Sequence, residues 1–235
     1  MLKKIVITLG VALGLAACDP LDEYRNKSDT YLYNAAIELM EYGRYERAAK
    51  IFEEVDLQHP SSPLAAKGLL MAGYCYYIES NPTSRNTNRF PEAIDKFESF
   101  MRLHPNHEMT PYAMYMIGMC HFDMLGDEMR DQSSGPKALS AFKSLIDRFP
   151  SSAYVRDATT KVQIITTYAA KKNLYIAETL MKEGYYAPAI ARLHQAISVT
   201  LSPDDSQRAK RMLNVCYKAL KLNHLISSNH NVITP

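Results

Sequence analysis

The sequence predicts an all-α solenoid of helical hairpins, about five units long, and three observations predict it. The first is a ruler: Pro60, Pro105 and Pro150 lie 45 residues apart. Each has a Phe eight residues upstream (Phe52, Phe97, Phe142) and an Ala four further back (Ala48, Ala93, Ala138). Self-similarity at a fixed step marks stacked units, each burying its apolar face only against its neighbours. The second is the recurrence of small residues inside helical apolar patterns, with Gly73 and Gly118, and Cys75 and Cys120, keeping the same step. The third is a set of helix-start signals at Ser62-Pro63, Thr110-Pro111 and Gly135-Pro136. A capping residue there precedes a proline whose missing N–H has no acceptor in the first turn.

The units follow in order. Gly43-Arg44-Tyr45-Glu46-Arg47-Ala48 supplies a turn and the start of a second helix for unit one, with Ala36 as the small residue of its first helix. Gly184-Tyr185-Tyr186-Ala187-Pro188-Ala189 repeats that pattern in unit four, with Ala177 in the small position. Small residues let the two helices of a hairpin approach to roughly 8–10 Å. The run Tyr154 to Met181 lacks Pro and Gly and predicts one long helix joining units three and four. Cys216-Tyr217 marks a fifth, partial unit. The pattern resembles the tetratricopeptide (TPR) repeat, whose period is about 34 residues. Units two and three are longer than that repeat, mostly through loops around Asn81 to Asn88 and Asp127 to Gly135.

The amino terminus has a different logic. Lys3 and Lys4 precede an apolar run, Ile5 to Leu15, and small residues Ala16 and Ala17. That is the layout of an export signal, too short to span a bilayer as a permanent helix. Leu15-Ala16-Ala17-Cys18 resembles the bacterial lipobox, which makes Cys18 the acylated first residue of the mature chain. Two or more acyl chains hold a protein stably on a membrane. Asp19 to Ser28 is polar and reads as a tether. The expected organisation is therefore a signal peptide at 1–17, a lipidated polar tether at 18–28, a repeat domain at 29–222 and a tail at 223–235. In enteric bacteria, Asp directly after a lipidated cysteine favours the inner membrane, so Asp19 admits that location as an alternative.

Composition excludes some classes. Lys+Arg total 27 against 25 Asp+Glu, and removal of Lys3 and Lys4 with the signal leaves a formally neutral chain. Neutrality argues against a nucleic-acid partner, which calls for a basic face. Cys75, Cys120 and Cys216 sit in helical apolar patterns and read as core thiols. Cys75 and Cys120, at equivalent positions of successive hairpins, are expected roughly 10–20 Å apart, beyond disulfide reach. No nucleophile elbow, metalloprotease helix, phosphate loop or C-x-x-C is present. His104 and His107 are the only close histidine pair, and their spacing is not that of a helical metal pair. His121 and His194 read as core or surface residues. No enzyme, cofactor or metal is expected.

In a TPR solenoid the first helix of each hairpin faces a groove. The residues at those positions are Tyr33 and Ile37 in unit one, and Leu70, Tyr74 and Tyr77 in unit two. Unit three contributes Tyr112, Tyr115, Met119 and Phe122, and unit four Lys171, Leu174, Glu178 and Met181. The amino-terminal half is thus Tyr-rich and the carboxy-terminal half mixed. Tyr and Met give large contact area with adaptable tips at peptide-binding surfaces. Packing between neighbouring helices is the equal alternative for any single Tyr.

Lipobox, tether, helical hairpins and the two insertions together resemble the BamD (ComL) family of the outer-membrane β-barrel assembly (BAM) machine. The resemblance runs from Cys18 to about Leu222. It is carried by Tyr76-Tyr77 before the first insertion, Ala93-Ile94-Asp95-Lys96-Phe97, Tyr112-Ala113-Met114-Tyr115-Met116-Ile117-Gly118, Lys137-Ala138-Leu139-Ser140-Ala141-Phe142 and Arg148-Phe149-Pro150-Ser151-Ser152. It implies a lipoprotein on the outer membrane facing the periplasm, whose partners are the POTRA domains of BamA, other BAM lipoproteins and unfolded outer-membrane protein segments. It further implies that the amino-terminal repeats, with Tyr33, Tyr74, Tyr77, Tyr112, Tyr115 and Phe122, receive the substrate segment. The later repeats then face BamA, with Arg192 as a contact. A solvated helix Arg is the equal alternative at Arg192. A lipid-anchored adaptor of peptidoglycan or cell-division machinery stays open as a second function.

Overall fold

The computed structural model describes residues 21–80, 88–125, 133–199, 201–222 and 225. The signal at 1–17, Cys18, most of both insertions and nearly all of the tail lie outside the described residues. Among the described residues there are nine α-helices and no strand. The helices are α1 (Asp29–Glu41), α2 (Tyr45–Gln58), α3 (Pro63–Glu79), α4 (Phe90–Leu103), α5 (Thr110–Asp123), α6 (Ser134–Arg148), α7 (Val155–Lys182), α8 (Tyr186–Ile197) and α9 (Pro203–Ala219). They pair as four hairpins, α1–α2, α3–α4, α5–α6 and α7–α8, with α9 as half of a fifth. The fold is the expected all-α hairpin solenoid.

Turn chemistry explains the hairpins. At the α1–α2 turn Gly43 has φ +69°, and the N–H groups of Gly43 and Arg44 donate to the carbonyls of Met40 and Leu39. Gly184, at φ +81°, closes α7–α8 in the same way, donating with Tyr185 to Met181 and Leu180. This double closure satisfies carbonyls a helix end would otherwise leave unpaired, and only Gly adopts the backbone freely. Ser62 caps α3, its hydroxyl accepting from the Leu64 N–H at 3.0 Å ahead of Pro63.

The other two start signals need correction. Thr110 lies inside α5, 2% exposed, and does not cap it. The ring Nδ1 of His107 accepts from the Met109 N–H at 3.1 Å and so tightens the preceding turn in its place. α6 opens at Ser134, putting Gly135 second and Pro136 third, still within the turn whose N–H groups lack intrahelical acceptors.

The ruler residues are the pins of the stack. Phe52, Phe97 and Phe142 are fully buried, and so are Ala36, Ala48, Ala93, Ala138 and Ala177. The ring of Phe97 fills the space a side chain at Gly73 would need, and Phe142 does the same at Gly118. Cys75, Cys120 and Cys216 are free and buried, as expected. Burial pushes the Cys75 thiol up to about 12, which keeps it protonated and unreactive.

The core forms three clusters. One spans the first two hairpins and reaches α5, the next joins α5, α6 and the start of α7, and the last joins the end of α7 to α8 and α9. The long helix α7 serves two of them, through Ala158 and Ile165 and then through Ala170, Leu174 and Ala177.

Of the expected tether at 18–28, residues 18–20 lie outside the described residues and the rest does not run free of the body. Residues 21–28 are docked on the body, with Tyr24 buried in the first cluster and Leu21 packed against it. The segment reads as polar because one buried ring, an ion pair and two backbone carbonyls do much of the holding, and none of these leaves a hydrophobic period.

Candidate peptide-binding face

The odd-numbered helices touch one another in sequence, α1 with α3, α3 with α5, α5 with α7 and α7 with α9. Consecutive even-numbered helices make no comparable contact among the described elements. The odd row is therefore the tighter, inner side of the stack, and the candidate groove residues lie on it.

Their side chains divide into two kinds. Leu70 and Leu174 are 5% and 2% exposed and belong to the core rather than to a groove lining. The six aromatics Tyr33, Tyr74, Tyr77, Tyr112, Tyr115 and Phe122 are all half-buried, each packed against a core cluster. Tyr33 meets Phe52 edge-on at 5.3 Å between ring centres. Tyr112 and Tyr115 belong to a chain of rings. Phe97 to Tyr112 is 6.2 Å, Tyr112 to Tyr154 is 5.7 Å, Tyr154 to Tyr115 is 5.1 Å and Tyr115 to Phe142 is 6.1 Å. Such contacts add about 0.5–1.5 kcal/mol each beyond the area they bury.

Two hydroxyls pin successive inner helices. Tyr77 of α3 donates to Asp123 of α5 at 2.6 Å, and Tyr115 of α5 donates to Asp157 of α7 at 2.7 Å. Lys161 lies in the same seam, 4.0 Å from the Asp157 carboxylate, with its ammonium 4.9 Å from the centre of the Phe122 ring. Burial, reinforced by the bond to Asp123, drives the Tyr77 phenol well above its usual range. The seam is thus a rigid floor: Tyr77 and Tyr115 are pinned by hydroxyl bonds, and Tyr112 is held by its ring neighbours alone. Tyr33, Tyr74 and Phe122 have neither a hydroxyl bond nor a place in that ring chain among the described residues.

Sequence reasoning missed Tyr154, Asp123, Asp157 and Lys161. A signal existed for Tyr154: it keeps the 45-residue step with Leu64 and Met109, both packed on the core just before or at a helix start. The two aspartates have no such echo.

The Asp123 carboxyl is raised above its ordinary value by burial, although the Tyr77 hydroxyl and Lys161 pull it down. A carboxyl raised in the folded state opposes folding while charged. That opposition fades as pH falls through the folded pKa and is gone below the unfolded value near 3.8. Asp123→Asn keeps an oxygen for the Tyr77 hydroxyl and removes the charge. Urea unfolding at neutral pH should show it neutral to slightly stabilising, by less than about 1 kcal/mol, with the difference vanishing in acid. Clear destabilisation at neutral pH would mean that attraction to Lys161 outweighs burial.

The carboxy-terminal half offers a different surface. Met181, Tyr186, Met212 and Val215 line an open cleft of about 320 Å³ among α7, α8 and α9. The Arg208–Glu178 ion pair closes one side of it. Arg192, on α8, is exposed and donates to Asn173 of α7 at 3.3 Å. Among the described residues no three His, Cys, Asp or Glu side chains are placed to hold a metal.

Comparisons with known proteins bear on the family of the chain. The outer membrane protein assembly factor BamD of Caulobacter vibrioides is 28% identical over 228 residues, covering 95% of this chain and 72% of that protein. The protein of the same name from Neisseria meningitidis serogroup B is 26% identical over 241 residues, covering 99% and 90%. The solved structure of MamA overlaps only loosely, with a TM-score of 0.43 and 16% identity over 86% of this chain and 88% of that one. The family model described as YfiO, outer membrane lipoprotein, matches residues 25–232. That match starts inside the docked leader and passes beyond α9, so the chain belongs to the YfiO family of outer membrane lipoproteins, as its resemblance to the BamD proteins implied.

Proposed function

We propose that this chain is an assembly factor for outer-membrane β-barrel proteins, acting as a docking scaffold without catalysis. In this reading residues 1–17 are a signal peptide and Cys18 is the acylated first residue. The repeat body then faces the periplasm from the outer membrane. The inner row of the first three hairpins receives an unfolded outer-membrane protein segment. Tyr33, Tyr74 and Phe122 make direct contact with it, while Tyr77, Tyr112 and Tyr115 hold the floor. The face around Arg192 meets the POTRA domains of a BamA-type barrel, where a guanidinium makes charge-assisted bonds to a carboxylate or to backbone carbonyls. Other BAM lipoproteins join through surfaces left free.

The observation that carries the reading is the asymmetry of the inner row. A half-buried aromatic seam fits extended apolar peptide, in which alternate side chains enter pockets. The carboxy-terminal end instead presents a cleft of Met and Val beside an ion pair, a mixed surface that suits a folded partner. The relatives named as assembly factors supply the process.

One capture experiment with two variants tests it. From detergent-solubilised membranes the wild-type chain should co-purify a POTRA-bearing barrel protein. Arg192→Glu should weaken that complex by about 2 kcal/mol, roughly thirtyfold, without changing the thermal midpoint. Tyr74→Ala with Phe122→Ala should weaken binding of carboxy-terminal peptides of outer-membrane proteins about tenfold while leaving the barrel complex intact. Unaltered peptide affinity removes the groove assignment, and unaltered barrel affinity removes Arg192. Capture of wall-synthesis or division proteins without a barrel would replace the reading.

A further inference from the structure

The leader is fastened to the body within three residues of its anchor. Leu21 packs against the first core cluster and Tyr24 is buried within it. Glu23 pairs with Arg47 of α2 at 2.6 Å. The Gln58 amide donates to the Tyr24 carbonyl at 3.1 Å, and the His59 ring donates from Nε2 to the Lys27 carbonyl at 2.7 Å. Ser28 then caps α1, its hydroxyl accepting from the Tyr31 N–H. Each side-chain bond is worth only about 1 kcal/mol net. Together with a buried ring they leave no swivel between residue 21 and the first helix.

We infer that the acylated end presses hairpin α1–α2 onto the phospholipid headgroups, fixing the orientation of the whole array on the membrane. The inference rests on acylation of Cys18. From Cys18 to Leu21 the chain can span at most roughly 11 Å. A free tether through Ser28 would wander over roughly 18 Å and stretch to about 35 Å. Among the described residues no helix is long and apolar enough to cross a bilayer, so the short reach from Cys18 sets the distance between body and lipid.

The chemistry of the hairpin near this exit suits a headgroup layer. Leu57 is 70% exposed and stands beside Gln58, the residue holding the leader. Tyr31 is 51% exposed, with the Lys27 ammonium 5.4 Å above its ring. Tyrosine and lysine both place an apolar body in the interface and a polar tip in water. Two ion pairs flank the leader, Arg25 with Asp22 and Arg47 with Glu23. The acyl chains supply the attraction, and the docked leader decides which face meets the lipid.

The test uses the full, acylated chain in vesicles of phosphatidylethanolamine and phosphatidylglycerol carrying nitroxide-headgroup lipid. A fluorophore on the Leu57→Cys variant should be quenched several-fold more strongly than one on Tyr185→Cys, in the turn of the fourth hairpin. A Gly/Ser insertion of about 12 residues between Pro20 and Leu21, adding roughly 20 Å of mean reach, should bring the Leu57 site down to the Tyr185 level. Tyr24→Ala with Gln58→Ala should do so in part. Equal quenching with and without the insertion, on a chain shown by mass spectrometry to be acylated, overturns this orientation and leaves the anchor standing. A mature terminus without acyl groups overturns the anchor and the orientation together.

Discussion

Gly118→Leu should destabilise the array by about 3 kcal/mol or more, among the largest effects available to one substitution. Two terms of opposite sign meet at this position. Glycine inside a helix is about 1 kcal/mol worse than alanine, so propensity alone favours any larger residue. Packing reverses the sign. A Cβ at Gly118 would lie 2.5 Å from Cε1 and 2.7 Å from Cδ1 of Phe142, whose ring is fully buried. The ring cannot retreat without opening the α5–α6 hairpin. Even Gly118→Ala should therefore lose about 1 kcal/mol or more, and Gly73→Ala less, since its nearest Phe97 atoms stand at 2.9 Å. Chemical denaturation gives the midpoints, and Phe142→Leu supplies the control. Combined with Gly118→Ala it should be less damaging than the two single changes added, because each relieves the same contact. An unchanged or raised midpoint for Gly118→Leu would dispose of the close approach.

The second large effect is expected in the middle of α7. Thr167→Pro removes a backbone donor from a helix interior and drives its ring against the preceding turn, a loss of about 3 kcal/mol or more. α7 is 28 residues long, and its two halves belong to different core clusters. Thr167 lies between Ile165, the last buried residue of one, and Ala170, the first of the other. A break there should separate the array into an amino-terminal body and the α8–α9 end. Calorimetry should show one transition becoming two. Thr167→Ala should stay within about 0.5 kcal/mol of wild type. A single transition at the wild-type temperature for Thr167→Pro would mean that contacts outside α7 hold the halves together.

Much of this architecture was legible because repeats write their packing into the sequence. The 45-residue step named Phe97 and Phe142, and Gly73 and Gly118, before the contact between them was seen, and Gly43 and Gly184 announced turns that require positive φ. The helix across units three and four followed from the lack of any breaker between Tyr154 and Met181. The start signals at Thr110 and Gly135 misled because a Ser/Thr/Gly-Pro pair is satisfied anywhere in the first turn, and a buried Thr110 cannot also serve as a cap.

What the sequence by itself determined is the period, the hairpin order, the Phe and Gly positions that keep the step, and the family, all of which depend on residues close in the chain or a fixed step apart. Only the tertiary structure decided which tyrosines became floor and which stayed available, because Tyr77 and Tyr115 find Asp123 and Asp157 across the seam between hairpins. Those aspartates break the 45-residue step and carry no local signal. It also decided that the leader from Leu21 is fastened rather than free, since its partners Arg47, Gln58 and His59 lie 24 to 34 residues away. Period is a property of the chain; a bond between unlike positions on neighbouring units exists only once the stack has closed.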